Sequence, residues 1–393
     1  MTTNNLKVYL IAGEPSGDLL ASRLMRAMRK KLDNKVEFFG VGGDTMQAEG
    51  LKSLFDISDL AVMGLVEVIP NIPKVLRHIK EVVEDIKQKK PDVVITVDSW
   101  SFSARIHKAL RRQKIKVPQI HYVAPQVWAW KKKRAKTMYK YIDCLLTLLE
   151  REPQYFTPYH LPSYFVGHPV IESNVLTASG ADFRKKYHIT NEKRIIVLLP
   201  GSRHNEISRL LPIFAETAAK LLAEDKNFYF VVPTVGTVAS SVKEMMKNSK
   251  LPHLIIENEQ DRYMAFRAAE AAIAASGTVA LELAIVNVPH IIAYKVSPFT
   301  GWLAKHLLHI QFVNLSNIIL GREVVPELLQ ERCDASNIKH YILSLLSKGD
   351  LYEKQQSGFA KIKQILSAGD QTPSENACDV ILQQIKEYSG KEK

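Results

Sequence analysis

Short apolar runs alternate with longer amphipathic stretches along the first half of the chain. Five of these runs have the length of a buried strand and lie at residues 8–12, 36–41, 93–97, 120–123 and 145–148. Stretches compatible with helices lie between them, at residues 19–31, 75–87 and 102–112. Because uninterrupted apolar strands separated by helices are typical of a sheet buried on both faces, the pattern predicts a parallel sheet covered by helices.

A second series of the same kind follows the polar stretch at residues 177–193. Its predicted strands lie at residues 195–199, 229–232, 254–256, 271–274 and 291–293. The breakers His168, Pro169 and Gly180 mark a linker near residues 167–190. The sequence therefore predicts an α/β protein with two doubly wound, Rossmann-like domains facing across a cleft at their strand ends. We expect these domains at residues 1–175 and 176–365, with a C-terminal helix and basic tail at 366–393 that packs back on the first domain.

The composition is that of a globular protein, with 46% hydrophobic and 24% charged residues in a chain of 393. The three cysteines are far apart in sequence and show no zinc-ligand spacing, which indicates a reducing, cytoplasmic setting. The first seven residues lack the pattern of a signal peptide, and no apolar run approaches the ~20 residues that a membrane-spanning helix requires. We therefore expect a protein that is soluble or at most peripheral to a membrane.

The chain is basic, since 53 lysine and arginine residues exceed 41 aspartate and glutamate residues by 12. This charge favours polyanionic partners: nucleic acid, anionic lipid surfaces or phosphorylated substrates. Charge alone does not choose among these three.

Two turns at strand ends carry candidate chemistry in the first predicted domain. The segment GEPSGD at residues 13–18 follows the first strand; Gly13 and Gly17 allow close approach, and a cap of the next helix does not require Glu14. Asp98 ends the strand at 93–97, where a general base at the edge of a cleft belongs. The alternative is that Asp98 or Ser99 simply caps the helix that follows.

The second predicted domain carries a candidate anion site at the end of its first strand. There the run IIVLLPGSR at residues 195–203 leads into a helix. Gly201 permits close approach of the backbone, Ser202 can hydrogen-bond a phosphate, and Arg203 can contact two oxygens of a diphosphate. A helix cap beside a solvated arginine is the simpler alternative.

A similar turn, SGTVALE, occupies residues 276–282. Ser276, Gly277 and Thr278 offer amides and hydroxyls to phosphate oxygens, and Glu282, about one and a half turns into the helix, can accept from ribose hydroxyls. A surface glutamate is the alternative for Glu282. Two phosphate-type turns in one domain favour a nucleoside diphosphate. Without a D-x-D pair or a Walker motif, we expect no metal and no cofactor, so that arginine and helix ends do the work of a metal.

Eight segments together resemble the signature of the lipid-A-disaccharide synthase family. In order along the chain they are GEPSGD (13–18), FFGVGGDTM (38–46), MGLVEV (63–68), YVAPQVWAWKKKR (122–134), FVGHP (165–169), LLPGSRHNEI (198–207), SGTVALE (276–282) and VPELLQ (325–330). Taken without the others, the tryptophans and lysines of the fourth segment also fit nucleic-acid stacking, ordinary packing or a membrane surface.

The resemblance implies a metal-independent, inverting glycosyltransferase of the two-domain GT-B type, acting in lipid A biosynthesis. Its donor would be UDP-2,3-diacylglucosamine and its acceptor 2,3-diacylglucosamine 1-phosphate (lipid X), giving lipid A disaccharide 1-phosphate and UDP. The acceptor's 6-hydroxyl would attack the anomeric carbon from the face opposite UDP. It also implies a cytoplasmic enzyme in peripheral contact with the inner face of the cytoplasmic membrane, and no nucleic-acid partner; the oligomeric state stays open.

Carried over by motif, the catalytic candidates are Asp98, as the base, and Glu14, as a second acidic group on the acceptor side. The expected UDP-donor site consists of Gly201, Ser202, Arg203, Glu206, Ser276, Gly277, Thr278, Glu282 and Asn317. The family usually reads D-x-P-D-F-N where this chain reads DSWSFS, so Ser101 replaces an aspartate and Ser103 an asparagine. Ser316 replaces the proline that usually precedes the asparagine at 317.

The segment at residues 60–76 is more apolar than a simple surface helix, and its two prolines, Pro70 and Pro73, should break it into short pieces. Burial in the core of the first domain is one interpretation. Because both substrates of the resembled family carry acyl chains, we expect instead a contact with the membrane or with those chains. The residues expected to make it are Met63, Leu65, Val66, Ile69 and Ile72.

Two other functions fit parts of the same pattern. Another two-domain UDP-sugar enzyme, either a peptidoglycan-type glycosyltransferase or a UDP-sugar 2-epimerase, would share the fold. A basic nucleic-acid-binding protein would share the charge, although its basic residues would be expected in a recognised module rather than spread along the chain.

Overall fold

The protein is described from a computed structural model that covers residues 5–61, 68–125, 127, 134–275, 277–296 and 311–391, with the backbone alone at 61, 68–72 and 391. The chain divides into two compact units. The first unit consists of Met1–Pro169 and Leu366–Lys393, and the second of Val170–Ile365. The sequence pattern placed the division after residue 175.

The first unit contains a six-stranded parallel sheet with the order β2-β1-β3-β4-β5-β6. Its strands are β1 (Leu6–Ala12), β2 (Val36–Val41), β3 (Val93–Val97), β4 (Gln119–Tyr122), β5 (Cys144–Thr147) and β6 (Ser163–Phe165). The helices between them are α1 (Pro15–Lys31), α2 (Asp44–Ala48), α3 (Ser58–Ala61), α4 (Val68–Lys89), α5 (Trp100–Arg112) and α6 (Ala135–Met138). Alternate residues of β1 enter cores on opposite faces, with Leu10 packed on the α1 side and Ile11 on the side of α4 and α5. The sheet is therefore buried on both faces, as its apolar strands require.

The second unit repeats this arrangement, with the strand order β12-β11-β10-β7-β8-β9. Its strands are β7 (Arg194–Leu199), β8 (Phe228–Pro233), β9 (His253–Ile256), β10 (Ala271–Ala274), β11 (His290–Tyr294) and β12 (Glu327–Leu329). Its helices are α7 (Gly180–Lys186), α8 (His204–Glu224), α9 (Gly236–Met246), α10 (Glu259–Ala268), α11 (Val279–Ile285), α12 (Leu315–Leu320) and α13 (Ala335–Leu346). The predicted α/β class with two doubly wound parallel sheets is confirmed.

Two last helices return the chain to the first unit. Helix α14 (Asp350–Ser367) begins in the second unit, and α15 (Pro373–Lys391) packs along α1. Ala377, Cys378 and Ile381 of α15 are fully buried in the same core as β1 and α1. Residues from the two ends of the chain thus build one hydrophobic core.

The prediction that Pro70 and Pro73 break the segment 60–76 is wrong, because α4 runs through both. Pro70 lies in the first turn, where a backbone N–H would have no partner within the helix. Pro73 lies inside the helix, where proline usually costs about 3 kcal/mol or more. The amphipathic remainder of α4 buries a row of side chains that offsets this cost: Val75, Ile79, Val82, Val83 and Ile86.

Strands β6 and β12 were not predicted, since three residues each are too few to show a pattern. Within the described residues, no helix is both long and apolar enough to span a bilayer.

Candidate functional site

Glu14 and Asp98 follow neighbouring strands of the first sheet. Strand β1 pairs with β3 in a register that places Ala12 beside Val97, so the turns after both strands meet at one edge. The Ser99 hydroxyl donates a hydrogen bond to the Glu14 carboxylate at 2.6 Å. The structure therefore brings both predicted catalytic carboxylates to the same edge of the first unit.

Two glycines permit this close approach. A Cβ atom at Gly17 would lie 3.1 Å from the carbonyl oxygen of Val97, and one at Gly13 would lie 3.1 Å from the side chain of Ser99. Contacts of this kind are tighter than most side chains tolerate, so the glycines of GEPSGD act here through their lack of a side chain.

Asp98 and Ser99 both have a left-handed backbone, with φ angles of 56° and 43°. Such conformations cost energy for residues other than glycine and cluster at functional sites. Two hydrogen bonds hold the backbone of Asp98: its N–H donates to the Tyr122 carbonyl at 2.9 Å, and the Ser103 hydroxyl donates to its carbonyl at 2.9 Å. Ser103, one of the departures from the family pattern, thus supports the residue that we expect to act as the base.

The helix-cap interpretation of Asp98 does not fit this geometry. Helix α5 begins at Trp100 after Ser99, and no side-chain cap hydrogen bond forms at that residue. Asp98 instead accepts the N–H of Ser99 at 2.7 Å. Burial raises the pKa of Asp98 above its usual value, and the negative charge of Glu14 raises it further. A carboxylate with a raised pKa is a better proton acceptor in a reaction near neutral pH.

Asp18, the last residue of GEPSGD, has a structural role. Its buried carboxylate accepts hydrogen bonds from the N–H groups of Gly43 (2.7 Å), Thr45 (2.9 Å) and Met46 (3.2 Å) and from the Thr45 hydroxyl (2.6 Å). These are groups at the N-terminus of α2, so Asp18 fastens α1 to that helix.

A buried polar network lies on the strand that leads to Asp98, and the sequence analysis missed it. The Thr96 hydroxyl lies 2.8 Å from Nε2 of His107 and 2.7 Å from Nδ1 of His121, while Nδ1 of His107 lies 2.8 Å from Oε1 of Gln119. Burial lowers the pKa of His107 to about 4 and that of His121 well below its usual value, so both rings are neutral. The ring of Trp100 packs on His121 at 4.7 Å. The sequence signals this network only through the polar residues Thr96 and His121, which lie within two apolar strands.

In the second unit, the candidate anion turn lies between β7 and α8. Gly201 has a φ of 114°, which only glycine adopts readily. The Ser202 N–H donates to Oε2 of Glu206 at 3.0 Å, and Nη1 of Arg203 donates to Oε1 of the same carboxylate at 3.1 Å. The Tyr294 hydroxyl, which the sequence analysis also missed, donates to that Oε1 at 3.2 Å. The side chain of Arg203 is 79% exposed, so most of it is accessible to a ligand.

The second turn follows β10, the strand beside β7. Gly277 again has a positive φ of 92°, and Thr278 precedes the first residue of α11. Glu282 lies in the first turn of α11, not one and a half turns into it, because the helix begins at Val279. Its side chain is only 16% exposed and lies 3.5 Å from Nη2 of Arg262, so it is not a surface glutamate.

Four hydrogen bonds hold the side chain of Asn317 within its own loop. Its side chain is fully buried, its Nδ2 donates to the Val325 carbonyl and to Glu327 at 2.8 Å each, and its Oδ1 accepts the N–H groups of Val324 (2.8 Å) and Val325 (2.9 Å). These four bonds use the full capacity of the amide. Asn317 therefore holds the loop before β12, and its contact with the donor stays a prediction.

Several expected contacts lie outside the described residues. These are Met63, Leu65, Val66 and Ser276, together with the side chains of Ile69 and Ile72. Within the part of the chain that the structure describes, no cluster of three or more His, Cys, Asp or Glu residues is arranged to hold a metal ion.

Comparison with known proteins relates the chain to solved structures of the same fold. In the solved structures, UDP-GlcNAc 2-epimerase from Neisseria meningitidis is similar with a TM-score of 0.65 and 13% identity, over 97% of this chain and 100% of that one. MurG from Acinetobacter baumannii is similar with a TM-score of 0.54 and 13% identity, over 96% and 99%. At this level of identity, these likenesses assign the fold, which is of the GT-B type.

Curated relatives are much closer in sequence. Lipid-A-disaccharide synthase from Paramagnetospirillum magneticum is 44% identical over 98% of both chains. The enzyme of the same name from Rhodospirillum centenum is 41% identical over 97% of this chain and 95% of its own. Residues 8–381 match the family described as lipid-A-disaccharide synthetase. The chain therefore belongs to the lipid-A-disaccharide synthetase family, whose members make the disaccharide of lipid A.

Proposed function

We propose that the protein condenses UDP-2,3-diacylglucosamine with 2,3-diacylglucosamine 1-phosphate, releasing lipid A disaccharide 1-phosphate and UDP. The observation that carries this proposal is the family match over residues 8–381, combined with a strained, desolvated carboxylate in one unit and two glycine turns in the other. The division suits an inverting transfer, which requires a base on the acceptor and stabilisation of the leaving diphosphate.

On the acceptor side, Asp98 takes the proton of the 6-hydroxyl as that oxygen attacks the anomeric carbon of the donor. The new carbon–oxygen bond forms on the face opposite UDP, and the electron pair of the broken bond leaves with the diphosphate. Glu14 supports this step through Ser99. The Ser99 hydroxyl donates a hydrogen bond to Glu14, and the Ser99 N–H donates one to Asp98. The raised pKa of Asp98 reduces the energy needed to receive the proton.

On the donor side, the diphosphate binds against the turns that follow β7 and β10. Gly201 and Gly277 allow its oxygens to approach the backbone, and Arg203 supplies a planar pair of charged donors. These groups stabilise the negative charge that develops on the departing UDP, so we propose that transfer requires no metal ion.

Both substrates carry acyl chains, which places the reaction beside a bilayer. We propose that the protein works in the cytoplasm in peripheral contact with the inner face of the cytoplasmic membrane. The net charge of +12 supports this, because basic residues attract anionic headgroups.

The proposal is tested by incubating the purified protein with both acylated substrates, with and without a chelator, and detecting the disaccharide by mass spectrometry. We expect product in both reactions. Loss of product in chelator that magnesium restores would refute the metal-free mechanism alone. Absence of product in every condition, together with epimerisation of the UDP-sugar, would point to a UDP-sugar epimerase instead.

A further inference from the structure

Three hydrogen-bond donors in the second unit converge on the carboxylate of Glu206. They are the Ser202 N–H at 3.0 Å, the Arg203 guanidinium at 3.1 Å and the Tyr294 hydroxyl at 3.2 Å. A carboxylate and a phosphate accept the same charge-assisted hydrogen bonds. The three donors therefore form an anion site that one of the protein's own side chains occupies.

The Glu206 carboxylate lies directly against the glycine of the turn. A Cβ atom at Gly201 would lie 2.3 Å from Oε2 of Glu206, and the side chain of Glu206 is only 14% exposed. A diphosphate that reaches Gly201 and Ser202 would meet this carboxylate. Because two anions at such a distance repel each other, the carboxylate and the diphosphate exclude one another.

Tyr294 reaches the site from a different element than the other two donors. It is the last residue of β11, whereas Ser202 and Arg203 follow β7, and β10 lies between these two strands. The hydrogen bond from Tyr294 to Glu206 therefore reaches across β10, the strand that is followed by the Gly277 turn. Burial raises the pKa of Tyr294 above its usual value, and the charge of Glu206 adds to this, so the hydroxyl keeps its proton and remains a donor.

We infer that Tyr294 is a further donor-binding residue, whose hydroxyl passes with Ser202 N–H and Arg203 from the Glu206 carboxylate to the diphosphate of the donor. The inference rests on the proposed function, since it takes a UDP-sugar as the donor. Glu206, expected from the resemblance to contact UDP, is then a competitor of the diphosphate. Its return to the turn assists the release of UDP after transfer.

The first test compares UDP with uridine as ligands of the Glu206→Gln variant in titration calorimetry. Glutamine keeps the shape and an acceptor oxygen but not the charge that competes with the diphosphate. We expect UDP to bind about tenfold more tightly than to the unchanged protein, a difference of ~1.4 kcal/mol, while uridine binds equally to both. Weaker binding of UDP by a variant with unchanged thermal unfolding would overturn the inference and make Glu206 a fixed brace of the turn.

The second test isolates the contact of Tyr294. In the unchanged protein, Tyr294→Phe removes one hydrogen bond from the free state and one from the bound state, so the two losses partly cancel. In a Glu206→Ala background the free state has no such bond, and we expect Tyr294→Phe to weaken UDP binding about tenfold without changing uridine binding. If the Ala background does not fold, the same comparison is made in a Glu206→Leu background, which also lacks an acceptor oxygen for Tyr294. Equal UDP affinity with and without Tyr294→Phe would reduce Tyr294 to an anchor of Glu206.

These outcomes are separate from a failure of the proposed function. If the unchanged protein bound neither UDP nor uridine, the donor itself would be wrong. Binding of both ligands, with no effect of either substitution, would leave the donor in place and reject only the roles inferred for Glu206 and Tyr294.

Discussion

Asp98 combines two features that are unfavourable in a folded protein, a left-handed backbone and a carboxylate that is largely withdrawn from water. Hydrogen bonds with Tyr122 and Ser103 hold the left-handed backbone, and the negative charge of Glu14 adds to burial in raising the pKa of Asp98. Local strain that neighbouring contacts preserve is expected where function requires it.

We expect Asp98→Asn to reduce turnover at least ~100-fold, the usual scale for a positioned base, because the amide cannot accept the proton. The affinity for UDP, measured by calorimetry, should stay unchanged because the substitution lies in the first unit. Thermal unfolding at neutral pH should occur no lower than in the unchanged protein, since a desolvated charge has been removed. Turnover close to normal in this variant would return Asp98 to a purely structural role.

The raised pKa of Asp98 also sets a pH dependence. The base must be ionised, so the acidic limb of kcat/KM should lie at a higher pH than the usual pKa of an aspartate. Since the folded state holds this proton more tightly than the unfolded chain does, the group favours folding at low pH, and this contribution is lost as the pH rises through the raised value. Glu14→Gln removes a neighbouring negative charge and should move the acidic limb of the residual activity to lower pH. An unmoved limb in that variant would mean that the limb does not report Asp98.

The sequence placed Asp98 and Glu14 at strand ends of one sheet, because such positions follow directly from the alternation of runs. It could not reveal that Thr96 lies between His107 and His121, since that contact depends on the register of β3 with β4. Tyr294 was also missed, because its hydrogen bond to Glu206 joins residues that lie 88 positions apart in sequence.

At the scale of elements, the loop before β12 depends on a single side-chain amide. Asn317 of α12 and Glu327 of β12 satisfy the backbone between them, and Glu327 also accepts the N–H groups of Val313 and Asn314. The motif resemblance predicts a contact of Asn317 with the donor and says nothing of these bonds within the loop. The physical role of Asn317 required the structure, because all its partners lie within ten residues but only the fold turns them inward.

We expect Asn317→Ala to lower the free energy of unfolding by roughly 2–4 kcal/mol, because it removes the side-chain partner of the N–H groups of Val324 and Val325 and of the Val325 carbonyl. Chemical denaturation measures this loss. At a temperature where the variant is folded, its affinity for UDP should be close to normal. A specific loss of UDP affinity with unchanged stability would instead favour the contact with the donor that the resemblance implies.

The segment at residues 60–76 remains a hypothesis of membrane or acyl contact, since most of it lies outside the described side chains. We expect the double substitution Val66→Ser and Ile69→Ser to weaken binding to vesicles that contain anionic lipid and to impair the use of acylated substrates. UDP affinity and thermal stability should be preserved, because neither side chain would then belong to a core. Vesicle flotation and thermal unfolding measure the two effects.

Val82 of α4, the helix that begins within this segment, supplies a matched control. It is fully buried in the core between α4 and the sheet, so Val82→Ser should lower stability without a specific effect on vesicle binding. If the double variant instead behaved like this control, the segment would be part of the core and the membrane contact would lie elsewhere.

At the scale of the whole molecule, the repeated alternation of strands and helices was sufficient to predict two parallel sheets. The same pattern did not predict that each sheet has six strands, because β6 and β12 are short edge strands. The charge of +12 was compatible with nucleic acid, and it was the family match rather than any property of the surface that selected phosphorylated lipid substrates.

The packing of α15 on α1 has a consequence for folding during translation. Leu20 and Leu24 of α1 belong to a core that Ala377, Cys378 and Ile381 complete, yet more than three hundred residues are translated between them. The second unit lies wholly within that interval and can fold while the first still exposes an apolar face to water. A nascent chain of this design therefore needs either a chaperone over α1 or rapid elongation through the last helix. Slow codons placed just before residue 373 would be expected to increase aggregation without altering a single amino acid.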